Sequence, residues 1–209
     1  MSALLDTAAP GPDLDDVGLI EAAALAERLA GHPIEAVYVS ELVRAGQTAR
    51  PFVEASGIAA RSLPGLAEIS GGEDEATAEL SRYIAALRSW GEGDPSVRIP
   101  GGESGEEFFA RFDSAIRTIV AAGHGTALVI SHAAAIRAWS GAVMPQVHTL
   151  LGMRTLPNTA VIIAEGDPEA GWHLVGIEFP DAGGSATVTD DGAADGPDGQ
   201  VNAFDKEKR

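Results

Sequence analysis

Apolar positions along this chain alternate between short unbroken runs and longer stretches spaced for one face of a helix. In residues 16–30, Ala22, Leu25 and Leu29 share a face while Glu21, Glu27 and Arg28 lie off it. Gly31 follows as a stop, so the pattern predicts an amphipathic helix. Residues 36–39, Ala-Val-Tyr-Val, predict a strand, and Ser40 behind them is placed to cap a helix starting at Glu41. That helix should carry Leu42 to about Ala49, bend or restart at Pro51, which lacks the amide an interior turn requires, and end at Gly57. A weak strand at 61–63 leads into Leu66-Ala67-Glu68-Ile69 and a glycine-rich loop at 71–74, and a helix is predicted at 75–90. Ser104 and Glu107 have capping-box spacing ahead of Phe108, Phe112, Ile116 and Ile119, which share a helical face. Residues 126–131 read as a strand buried on both faces, with helix-forming alanines directly after His132. Residues 159–163 and 172–177 predict two last strands, joined as a hairpin by the turn at 166–168.

Strands alternating with helices predict an α/β fold, a three-layer α/β/α sandwich around a mostly parallel sheet. A chain of 209 residues has room for one such domain, since domains commonly run to about 100–200 residues. We assign it residues 1–179, with residues 1–15 as loop, and expect the acidic, Gly- and Ala-rich stretch 180–209 to be a disordered tail.

Charge narrows the partners. Acidic residues number 31 against 14 basic ones, a net charge of −17, which repels nucleic acid and anionic membranes. Neither is expected as a partner, and an anionic ligand must be held locally. The absence of cysteine removes disulfides, thiolate metal sites and a cysteine nucleophile. No run of about 20 apolar residues is present to span a bilayer, and the opening residues show no secretory pattern. The setting expected is cytoplasmic; no pattern indicates an oligomeric state.

In a parallel sheet, ligands collect at the carboxyl ends of strands, where helix N-termini offer amide donors. Two turns fit that place. Arg44 falls about one turn into the helix after the first strand, where a cation is mildly disfavoured and a bound phosphate would compensate it. A solvated or glutamate-paired arginine is the alternative. His132 directly follows the strand at 126–131, so its imidazole should emerge at the sheet edge, able to donate to a phosphate oxygen or, as imidazolium, to offset phosphoryl charge. Its alternative is a capping or packed histidine. Ser131 lacks both glycines of a nucleophile elbow. Glu68, between a short strand and a glycine-rich loop, is placed to protonate a departing alkoxide, although a glutamate in so acidic a chain is more often a surface charge. His32, His124, His148 and His173 have no metal-ligand spacing, and no metal is predicted.

Five ordered segments carry a resemblance. They are Val39-Ser40-Glu41-Leu42-Val43-Arg44-Ala45-Gly46-Gln47-Thr48-Ala49, Leu66-Ala67-Glu68-Ile69, Pro100-Gly101-Gly102-Glu103-Ser104, Val129-Ile130-Ser131-His132-Ala133-Ala134-Ala135-Ile136-Arg137 and Pro157-Asn158-Thr159. Together they resemble the histidine phosphatase superfamily, the fold of cofactor-dependent phosphoglycerate mutases and many small bacterial phosphatases, over roughly residues 4–178. The resemblance implies that Arg44 and His132 contact the phosphoryl group, that Glu68 is the proton donor, that no cofactor is needed and that the partner is a small phosphorylated substrate. The region after Glu68 is short and has few basic residues to hold a second phosphate, which favours phosphatase over mutase. Residues 70–74 and 145–154 are expected to set the substrate.

Two departures accompany it. Ala133 stands where the family often has glycine. The family's nucleophilic histidine lies in an Arg-His-Gly triplet ending the first strand, and no such triplet occurs in these 209 residues. That strand is central, so without it both neighbours keep unpaired backbone groups. The expectation is that the natural protein begins about 15–25 residues upstream, the length of a strand and its loop. Three readings stay open: a phosphatase acting through a phosphohistidine absent from this chain, a catalytically inactive relative that binds a phosphorylated ligand or regulates, and an α/β domain with no phosphate site.

Overall fold

A computed structural model describes residues 4–152 and 155–180, with the backbones of 187–188 and 194–195. Its elements are α1 (Asp16–Leu29), β1 (Ala36–Val39), α2 (Val43–Ser56), β2 (Ala60–Ser62), α3 (Ser81–Gly91), α4 (Gly105–Ala121), β3 (Ala127–Ile130), α5 (Ala133–Val143), α6 (Gln146–Leu151), β4 (Val161–Asp167), β5 (Gly171–Glu178), β6 (Thr187–Val188) and β7 (Ala194–Asp195). β6 and β7 pair antiparallel. The remainder of the tail expected at 180–209 lies outside the described residues.

Local chemistry accounts for most boundaries. Asp15 caps α1 by accepting from the Gly18 amide at 2.8 Å. The Ser104 hydroxyl accepts from the Glu107 amide while the Glu107 carboxylate accepts from the Ser104 amide, closing the predicted capping box of α4. Three expectations need correction. α2 begins at Val43, after Leu42, and Ser40 does not cap it; its hydroxyl is directed to His132. Of the bend or restart expected at Pro51, the restart does not occur, and α2 continues to Ser56. α3 starts at Ser81, because residues 75–77 are tied to the first segment of the chain: Leu5 N–H donates to the Thr77 carbonyl, and Ala76 N–H to that of Leu5.

The central sheet has the order β2-β1-β3, all parallel, with Tyr38 opposite Arg61 on one side and Val129 on the other. Alternate side chains of β1 feed two cores. Val37 and Val39 pack with Leu25, Leu29, Ala45, Ala49 and Phe52 of α1 and α2. Ala36 and Tyr38 meet Tyr83, Trp90, Phe108, Phe112 and Trp139 of α3, α4 and α5. Helices therefore cover both faces, and the three-layer α/β/α sandwich stands.

β4 and β5 form an antiparallel hairpin in a sheet of their own, as anticipated. The hairpin borders the same cores: Val161 packs on the α1/α2 side, as Leu128 of β3 does, and Trp172 on the α3–α5 side. No ladder joins β3 to β4, so among the described residues each is hydrogen-bonded on one side only. This corrects the expectation for 126–131. Ile130 is buried, but Ala127, Leu128 and Val129 are only partly so, as befits a strand with one uncovered edge.

The segment carrying Glu68 packs directly on α4. A Cβ on Gly65 would stand 2.6 Å from the Arg111 carbonyl oxygen and 2.9 Å from the Ala115 Cβ. Gly65→Ala must push a helix backbone aside, and we expect a loss of about 1–3 kcal/mol, read as a thermal midpoint lower by about 2–4 °C per kcal/mol. An unchanged midpoint would contradict this packing.

Candidate active site

Three sequence-distant segments meet at the carboxyl ends of β1 and β3. His132 occupies the N-cap position of α5, two residues beyond the end of β3, and is 7% exposed. Its Nε2 lies 2.6 Å from the Ser40 Oγ, which follows β1 and accepts from the Leu42 amide at 3.3 Å. Burial is the main reason its pKa falls from the ordinary 6.5 to about 3, and the charges of Arg44 and Arg111 lower it further. His132 is thus a neutral imidazole, a hydrogen-bond partner, and the imidazolium considered from sequence is disfavoured.

Arg44 is the second residue of α2, and it is neither fully solvated nor paired with a glutamate. Its Nη2 donates to the Asp6 carbonyl at 2.9 Å. Its Nη1 is buried and, among the described residues, has no hydrogen-bond partner; the Asp6 carboxylate is 4.0 Å away. Gly11, at φ +68°, lets the first loop lie against this nitrogen, since a Cβ there would come within 2.7 Å of it. The helix-end amides expected to assist are in use: Leu42 N–H donates to the Ser40 Oγ and Val43 N–H to the Pro10 carbonyl.

Glu68 is half-buried and caps α5 from outside. Its carboxylate accepts from Ala135 at 2.8 Å, Ala134 at 3.2 Å and Ile69 at 2.9 Å. Burial raises its pKa above the ordinary 4.5, opposed by those three amides and by the Arg44 charge. The surface-charge alternative is therefore not what the fold builds. Arg44, acting on both Glu68 and His132, links the three groups into one electrostatic cluster.

Sequence reasoning missed several neighbours. Ser40 was read as a cap. The buried Thr7 donates through its hydroxyl to Glu75 at 2.5 Å and accepts from the Gly71 amide at 2.7 Å, tying the first loop to residues 71–75. Arg111 and Glu103 brace the Glu68 segment from α4. Glu103 stands within one of the five landmarks; a buried threonine and one of fourteen basic residues carry no local signal. Among the described residues, no cluster of His, Asp and Glu is arranged to hold a metal ion, and no helix is long and apolar enough to cross a membrane.

Because the folded-state pKa of His132 is depressed, the unfolded chain binds its proton more readily between pH 6.5 and about 3. Stability then falls as pH drops through that window. We expect the His132 ring resonances not to titrate between pH 8 and 5, and a His132→Gln variant to lose less stability than wild type on acidification from 6.5. A ring midpoint near 6.5 in the protein without added anion would contradict the buried neutral imidazole.

The 82% of this chain that aligns with the PE-PGRS family protein PE_PGRS11 of Mycobacterium tuberculosis is 34% identical to it over 192 residues. The chain spans about a third of that protein's length, 33%. A mycobacterial glucosyl-3-phosphoglycerate phosphatase has a similar fold, with a TM-score of 0.67 at 23% identity, covering 82% of this chain and 89% of that one. The alpha-ribazole phosphatase of Shigella flexneri gives a TM-score of 0.59 at 23% identity, covering 81% of this chain and 85% of that one. Histidine phosphatase superfamily (branch 1) matches residues 7–179, and the chain belongs to that family.

Proposed function

We propose that this domain is a phosphatase that hydrolyses a small phosphate monoester through a phosphohistidine, with Arg44 and His132 holding the phosphoryl group and Glu68 protonating the leaving alkoxide. The observation that carries this reading is the buried Nη1 of Arg44, without a hydrogen-bond partner among the described residues, beside a neutral histidine and a carboxyl group of raised pKa. A phosphate oxygen would satisfy that nitrogen, and neutral His132 can offer a second hydrogen bond. Glu68, its acid form favoured by burial, can give its proton to the ester oxygen as the P–O bond breaks. Phosphohistidine hydrolysis then returns inorganic phosphate.

The histidine that accepts the phosphoryl group is, on this reading, carried by a strand from outside the 209 residues. The edges of β3 and β4 left unpaired among the described residues support that reading. A strand lying parallel to β3 there ends beside His132, which directly follows β3. Residues 69–80 contain Glu73, Asp74, Glu75 and Glu79 and no basic residue, a poor setting for a second phosphate, so we favour phosphatase over mutase. The two phosphatases of similar fold are named for small phosphorylated molecules, in keeping with a substrate of that class. The cytoplasmic setting expected from the sequence stays part of this proposal.

Orthovanadate and phosphate should raise the thermal midpoint of the wild-type chain, by about 2.7 kcal/mol of stabilisation at a hundredfold excess over Kd. Arg44→Ala and His132→Ala should abolish the shift, and a wild-type midpoint indifferent to both anions would leave an α/β domain with no phosphate site. Hydrolysis of p-nitrophenyl phosphate should be absent from the 209-residue chain and present in a form that carries an Arg-His-Gly strand. In that form Glu68→Gln should lower kcat by about 10²–10⁴-fold. Anion binding with turnover in neither form would instead identify an inactive, phospho-ligand-binding relative.

A further inference from the structure

Outside the three site residues, the most fully engaged polar side chain beside the site is Arg111 of α4. All five of its N–H groups are used. Nε donates to Glu103 Oε2 at 2.8 Å, and Nη2 to Glu103 Oε1 at 2.8 Å. The rest go to main chain: Nη1 donates to the carbonyls of Gly65 and Ala67, and Nη2 to that of Glu68, each at 2.9 Å. The guanidinium stands 5.0 Å from the Phe108 ring centroid, which limits its tilt. Glu103, paired to it, also accepts from the Ser70 amide at 3.0 Å. One ion pair therefore grips main-chain groups on both sides of Glu68.

We infer that Arg111, with Glu103, is a positioning residue for Glu68: a rigid fork on α4 that fixes the backbone of residues 65–70 so that the Glu68 carboxyl group rests on the first amides of α5 beside Arg44 and His132. Geometry requires an arginine here. Three carbonyls and a bidentate carboxylate call for five donors in a planar array, and lysine supplies three from a single point. Leu66 and Ile69 anchor the ends of the segment in the apolar core, but the main chain between them has few other hydrogen bonds to the same region: the Ser131 hydroxyl donates to the Leu66 carbonyl at 2.7 Å, and Tyr83 reaches the Ile69 carbonyl at 3.4 Å. Without the fork, residues 67–70 gain freedom, and the carboxyl group can leave α5 for water. The inference rests on the phosphatase reading only for the task given to Glu68; the clamp itself is a claim about where that carboxyl group sits.

The test is a pH titration of the Glu68 carboxyl carbon by NMR in wild type, Arg111→Gln and Arg111→Lys, with Ile119→Val as a control that loosens α4 far from the loop. Arg44 and Tyr83 act electrostatically on or with this carboxyl group, and His132 adjoins it, so all three stay unchanged in every variant. We expect the Glu68 midpoint, raised in wild type, to drop toward the ordinary 4.5 in both Arg111 variants and to stay raised in Ile119→Val. The lysine variant keeps the positive charge, so its failure to rescue identifies the fork as the cause. A midpoint in Arg111→Lys equal to wild type overturns the inference, as does an equal fall in Ile119→Val. If the midpoint falls as expected while wild type fails to bind phosphate or vanadate, the clamp stands and the phosphatase reading is what fails.

Discussion

A guanidinium nitrogen removed from water without a partner is unfavourable by roughly the desolvation cost of a charged donor, about 1–3 kcal/mol or more. Arg44 Nη1 is in that position, and no group among the described residues relieves it. The first loop lies against it at Gly11, the nearest carboxylate oxygen stays at 4.0 Å, and the amides around it are bonded elsewhere. On the proposed reading, a bound anion completes this charge. His132 and Glu68 are then understood through the same charge, which works with burial to keep the imidazole neutral and against burial at the carboxyl group.

The fold delivers these groups by a division of labour. β1 and β3 run side by side, so the residues that follow them, Ser40 and His132, come within 2.6 Å. α4 contributes Arg111, which holds the main chain of the Glu68 segment and adds its charge to those acting on His132. The first loop contributes through backbone groups and through Thr7, whose hydroxyl joins Glu75 and Gly71. Loop, sheet edge and helix are thus coupled at one rim, while the opposite side of the sheet is an apolar contact with α1 and α2.

Features with a local cause were legible in the sequence. The α4 capping box, the α1 face and the turn from β3 into α5 each follow from residues within a few positions of one another. The hairpin of β4 and β5 was likewise readable from two apolar runs around a Gly-Asp-Pro turn. Features that depend on distant partners were not. Ser40 looks like a cap until His132, 92 residues on, claims its hydroxyl, and residues 75–80 look helical until Leu5 and Thr7 hold them extended or turned. The half-exposure of β3 was invisible for the same reason: an apolar run states that a strand wants cover, and only the assembled sheet states on which edge it lacks it.

In the proposed site, Arg44, His132 and Glu68 surround a single anion. A crystal structure of the chain grown with orthovanadate tests this directly. It should show one oxygen within hydrogen-bond reach of Arg44 Nη1 and another at the His132 ring, with the Glu68 carboxyl group facing the same ion. Vanadate bound elsewhere, or a saturated crystal in which Arg44 still reaches only Asp6, would contradict it.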